Sequence, residues 1–107
     1  MKERSLGVSD TAGMTFEEFL PTYLEAHSQK ATRVMHAVGL LSGLAIGTTG
    51  IVTLKPQLIL LGLAAGYIPA WTSHWFIEHN TPKTFGQPLL SFRGDFVMVW
   101  RLLTGKL

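Results

Sequence analysis

Residues 34–54, VMHAVGLLSGLAIGTTGIVTL, are followed by Lys55 and then by residues 56–77, PQLILLGLAAGYIPAWTSHWFI, and this double run decides the reading of the chain. Lys55 is the single charged residue between positions 34 and 77, whereas residues 1–33 carry nine charges and residues 78–107 carry six. A helix needs about 20 apolar residues to cross the roughly 30 Å hydrocarbon core of a bilayer, and the two runs have 21 and 22 residues. They predict two transmembrane helices joined by a tight turn, a helical hairpin within one all-α membrane domain spanning 1–107. The competing expectation is a buried hairpin in a soluble helical domain. Pro56 suits the first turn of the second helix, where its missing N–H costs nothing, and Pro69 is expected to kink that helix.

Composition agrees with the hairpin. Only 15% of the 107 residues are charged, against about 25% in ordinary soluble domains. A net charge of +2, thinly spread, excludes the dense basic face that a nucleic-acid partner requires. With no cysteine, disulfides, thiolate zinc sites, iron–sulfur clusters and cysteine nucleophiles are excluded, and no G-x-S-x-G elbow is present to carry a serine nucleophile. The first apolar run is too long for a signal-peptide core. Eight of the nine Lys and Arg lie outside the hairpin turn, which by the positive-inside rule puts both termini in the cytoplasm and Lys55 outside. The expected location is integral to a membrane: the inner membrane of a bacterium, or the endoplasmic reticulum of a eukaryote.

The flanks carry local signals. Residues 1–14 are expected to be a flexible N-terminus. Thr15 and Glu18 fit a capping box, Met14 and Phe19 its hydrophobic staple, and Phe16, Phe19, Leu20, Tyr23, Leu24 and His27 recur at helical spacing. Residues 15–30 therefore predict an amphipathic helix lying at the membrane interface, bent or restarted at Pro21. Ser28 or Thr32 is a candidate cap for the helix that follows. Residues 80–94, rich in Pro, Gly, Ser and Thr, predict a loop, and Asp95 a cap for a short interfacial helix over 95–104 that stops near Gly105.

Gly39, Gly43 and Gly47 in the first run, and Gly62, Gly66 and Ala70 in the second, are small-xxx-small stripes that let membrane helices approach closely, so the two stripes are expected to face each other. The second stripe continues to His74 and Glu78, and the first reaches back to His36. His36 lies 19 residues before Lys55 and His74 lies 19 after it, so both fall at one depth, about 28 Å from the turn. His79 lies well round the helix from His74, and His27 joins the others only if the chain bends between Ser28 and Thr32.

Ionisable groups within a membrane span usually face an interior where they have partners and a role. Imidazole is the commonest metal ligand, and a His set with a nearby carboxylate suits zinc or non-haem iron. His27, His36, His74 and His79 are thus candidate metal ligands. Two other readings stay open: His36 and His74 as the axial ligands of a haem b for electron transfer, and a scaffold that oligomerises through its glycine stripes without any metal.

The order Tyr23-x3-His27-x8-His36 before the first run, then His74-x3-Glu78-x3-Pro82 at the end of the second, resembles the yeast-type (Mpo-like) 2-hydroxy fatty acid dioxygenases of the endoplasmic reticulum, over about residues 16–100. The resemblance implies an iron(II)-dependent membrane dioxygenase of fatty acid α-oxidation, taking a 2-hydroxy fatty acyl substrate and dioxygen and shortening the chain by one carbon. His27, His36 and His74 match the family's histidines, and Glu78 and Pro82 its downstream acid and proline. On this resemblance iron(II) is expected on His36 and His74 with one or both of His27 and His79. Glu78 would orient a ligand imidazole or replace one, and Arg33 and Arg93 are candidates for the substrate carboxylate. The acyl chain is expected between the helices. The yeast-type proteins have further hydrophobic segments, so a second subunit, in a homo-oligomer, is expected to complete the substrate cavity here.

Overall fold

The computed structural model describes residues 13–107, so the N-terminal segment 1–14 expected to be flexible lies outside the described residues apart from its last two positions. Four α-helices follow in order: α1 (Phe16–Glu25), α2 (Lys30–Val52), α3 (Pro56–Ser73) and α4 (Pro88–Leu103). A π-helical turn, His74–Glu78, extends α3, and a 3-10 turn, Lys83–Phe85, precedes α4. No strand occurs among the described residues.

The capping box forms as the sequence predicts. Thr15 Oγ accepts from the Glu18 amide at 3.2 Å, and Glu18 accepts from the Thr15 amide at 3.0 Å. Met14 packs against the cluster containing Phe19, completing the staple. The helix runs through Pro21 unbroken but stops at Glu25. Its apolar face turns inward rather than toward a membrane interface: Phe19 and Tyr23 are buried with Met98 of α4. Burying two large aromatic side chains against a neighbour is worth several kcal/mol.

Helices α2 and α3 form the antiparallel hairpin, stripe against stripe. A Cβ added at Gly39 would sit 2.8 Å from the Gly66 carbonyl oxygen, and one at Gly43 would sit 2.7 Å from that of Gly62. At the turn Leu54 adopts a left-handed conformation (φ 57°) and the Lys55 amide donates to the Gly50 carbonyl at 2.8 Å, the Schellman closure of a helix end. Pro56 then opens α3 at its first turn, as expected. α3 ends at Ser73, short of the expected Ile77, and among the described helices α2 alone is long and apolar enough to cross a membrane. The two-span expectation thus reduces to a helical hairpin with one candidate span, because the C-terminal part of α3 carries Tyr67, Pro69, Trp71, Thr72 and Ser73 in place of aliphatic residues.

Two boundaries differ from the sequence reading. α2 starts at Lys30 behind Gln29, with neither Ser28 nor Thr32 as its cap. α4 starts at Pro88, six residues before the expected loop ends, so Asp95 lies inside the helix and caps nothing. Pro88 fits a first turn at no cost. Gly94, which reads as a breaker, is tolerated in mid-helix because Tyr23 packs flat on it: a Cβ there would meet the ring at 3.1 Å. The C-terminal stop is as predicted, with Gly105 left-handed (φ 72°) after Thr104.

Candidate metal centre

His27 comes from the turn after α1, His36 from the second turn of α2, and His74 from the π turn that ends α3. All three are buried, and one ring nitrogen of each lies within 4.8 Å of the other two. The contacts are Nε2 to Nε2: 3.1 Å between His27 and His36, and 2.9 Å between His27 and His74. The rings stand nearly perpendicular, at 83°, 82° and 90° in the three pairs.

The opposite nitrogens establish the proton positions. His27 Nδ1 faces the Tyr23 carbonyl at 2.5 Å, His36 Nδ1 the Thr32 carbonyl at 2.9 Å, and His74 Nδ1 the Asn80 Oδ1 at 2.7 Å. Asn80 Nδ2 donates to the Ala26 carbonyl at 3.0 Å, which orients the amide so that its oxygen faces His74. A carbonyl oxygen only accepts, so each Nδ1 carries the proton and each Nε2 presents a bare lone pair to the same point. Burial, with the neighbouring imidazoles adding to it, pushes the His27 imidazole well below its ordinary range and keeps it neutral. Bare nitrogens at these distances cannot hydrogen-bond one another, and a cation at their centre satisfies all of them. Histidines that hold a metal ordinarily donate the other ring N–H to an oxygen acceptor in this way, and here all three do so.

Local sequence explains the placement. His27 and His36 each reach the carbonyl four residues back, and for His27 that carbonyl is one left unpaired by the last turn of α1. His74 sits where α3 widens to a π turn, which brings the Asn80 amide within 2.9 Å of the His74 carbonyl and its side chain within reach of the ring.

The remaining candidates lie elsewhere. His79 is exposed, left-handed (φ 58°) and outside the cluster. Glu78 touches no imidazole nitrogen among its hydrogen bonds; it accepts from Ser28 Oγ at 3.0 Å and from the Gln29 amide at 2.7 Å, tying the end of α3 to the start of α2. Burial raises its pKa, but these donors outweigh that and hold it below the usual carboxylate value. Arg33 donates to the His27 carbonyl at 2.6 Å, and Arg93 stacks over Phe16 at 4.0 Å. Four residues that the sequence reading gave no role at the site surround the cluster instead. Asn80 orients His74. Trp71, Lys83 and Asp95 line a small cavity with the three histidines, Lys83 being 4% exposed and Asp95 accepting from the Tyr23 hydroxyl.

Residues 14–107 match the family model Mpo1-like, described as 2-hydroxy-palmitic acid dioxygenase Mpo1-like. The chain belongs to this family. No curated protein and no solved structure matches it. In this Mpo1-like chain the three histidines that the family resemblance singled out are the three that converge. The family's name is that of a dioxygenase, and the buried histidine cluster can hold a metal ion.

Proposed function

We propose that this Mpo1-like chain is an iron(II)-dependent membrane dioxygenase that shortens 2-hydroxy fatty acids by one carbon. The observation that carries the reading is the set of three unprotonated Nε2 atoms aimed at one buried point. With metal–nitrogen bonds of about 2.1 Å, adjacent ligands lie about 3.0 Å apart in six-coordinate geometry and about 3.4 Å apart in four-coordinate geometry. The spacings of 3.1 and 2.9 Å from His27 to His36 and to His74 match adjacent ligands of a six-coordinate ion, and three histidines would leave room for substrate and dioxygen. Iron(II) held there would supply the activation of dioxygen. A haem is disfavoured, because its axial nitrogens lie about 4 Å apart across a flat macrocycle, and the His27 ring occupies that space.

The chain's own groups do the binding. Lys83 lines the small cavity with the three histidines, and its ammonium can pair with the substrate carboxylate there. Trp71 Nε1, buried with no hydrogen-bond partner, lines the same cavity and can donate to a bound carboxylate or 2-hydroxyl. Glu78 and Arg33 hold the turn that carries His27. For membrane insertion the support is α2 itself: only 22% of its most apolar window is buried, whereas the core helix of a soluble protein is mostly buried.

Purified protein is expected to bind one iron per chain without a Soret band and to consume 2-hydroxypalmitate only with dioxygen. His36→Gln and His74→Gln should lose both properties, while His79→Ala keeps them. Full turnover in His36→Gln, or a Soret band in the wild type, would overturn the reading.

A further inference from the structure

A groove between α2 and α3 begins at His36 and Asp95 and ends at Ile51 and Ile59 beside the hairpin turn. From His36 to Ile51 it follows 15 residues of helix, or about 22 Å, which exceeds the roughly 15 Å depth of one bilayer leaflet. Apart from Thr48, its polar groups gather at the histidine end, and the rest is apolar side chain, Phe92 included, and glycine backbone. It adjoins the small cavity, since His36 and Asp95 line both. The shape is that of an amphiphile with its head at the histidines.

The glycines along it are not equivalent. Gly39, Gly43 and Gly62 are closed off by backbone within 2.8 Å of an added Cβ, so helix contact accounts for them. Gly47 has nothing within 4 Å of such a Cβ, yet it lines the groove. Packing places no demand on its missing side chain; an unobstructed groove does. Gly47 lies 11 residues beyond His36, or about 16 Å along the helix.

We propose that the groove seats the unbranched acyl tail of the substrate and that Gly47 sets the chain length it admits. The proposal rests on the dioxygenase reading and adds to it a specificity-determining residue. A side chain at position 47 divides the groove, leaving room for a medium-length tail and blocking a long one.

The test compares 2-hydroxypalmitate with 2-hydroxydecanoate in the wild type, Gly47→Leu and Gly47→Phe. Turnover is measured with dioxygen and equilibrium binding without it, alongside the iron content of each protein. Both variants should keep their iron, while the long-to-short ratio of kcat/KM and of affinity falls about tenfold or more, the loss of roughly two buried methylenes. Val38→Phe, on the outer face of α2, should leave the ratio unaltered. An unchanged ratio in iron-loaded Gly47→Leu and Gly47→Phe would overturn the proposal while leaving the dioxygenase reading standing. A wild type that neither binds nor converts either acid would remove both.

Discussion

Asn80 does at the residue scale what no motif containing it announces. Its oxygen holds the His74 tautomer and its amide nitrogen ties that contact to the Ala26 carbonyl at the foot of α1. Removing such a partner commonly costs 10- to 100-fold in metal affinity. Asn80→Ala should therefore weaken iron binding by about that factor, read by competition with a chelator, while the far-ultraviolet dichroism remains helical. Unchanged affinity would mean that His74 is oriented by its π turn alone. Asp95 supplies a second test. Burial pushes its carboxyl up to about 6, against the opposing hydrogen bond from Tyr23. A raised carboxylate pKa means that the folded state binds the proton more tightly than the unfolded one. The contribution is therefore full below pH 3.8 and lost as pH rises through about 6. The stability difference between wild type and Asp95→Asn should thus change by about 2–3 kcal/mol across that window, and a flat difference in denaturant titrations would refute the assignment.

Elements explain which glycines matter. Gly43 and Gly66 hold the same middle place in their stripes, but an added methyl meets backbone oxygen at 2.7 Å from Gly43 and only at 3.6 Å from Gly66. Gly43→Ala should destabilise the hairpin by about 1–3 kcal/mol through overpacking, whereas Gly66→Ala should be close to neutral in the same unfolding assay. Equal effects would mean that the helices close differently. The turn offers the opposite sign. Leu54 holds a left-handed conformation that costs a non-glycine residue about 1 kcal/mol, so Leu54→Gly is expected to raise the unfolding midpoint. The short interfacial helix expected over 95–104 was misread for a related reason. A glycine in mid-helix is a breaker in isolation, and only the Tyr23 ring lying on Gly94 makes it an asset.

Across the whole molecule, the three histidines come from three segments, which hydrogen bonds of Glu78, Arg33 and Asn80 also tie together at that end of the bundle. A metal bound there links α1, α2 and α3 in the folded state and has no comparable site in the unfolded one. Excess metal at about a thousand times its dissociation constant would add about 4 kcal/mol. Chelation should accordingly lower the midpoint of thermal unfolding, and it should do so less in His36→Gln than in wild type. An identical shift in both would place the metal elsewhere.

The sequence by itself carried the hairpin, its turn at Lys55–Pro56, the facing stripes, the capping box and the equal depth of His36 and His74, because each follows from spacing along a regular helix. It carried His27 only through the family resemblance and an expected bend, and it grouped His79 with the cluster because adjacency in a chain says little about direction once a helix widens. The choice between those two belonged to tertiary structure. The π turn sends His74 inward and leaves His79 exposed, α1 folds back on α4 to deliver His27, and Glu78 and Arg33 fix the turn between them. Lys83, Trp71 and Asp95 were beyond sequence reasoning for the same reason: their place beside the cluster depends on how separate elements pack, and no periodicity records that.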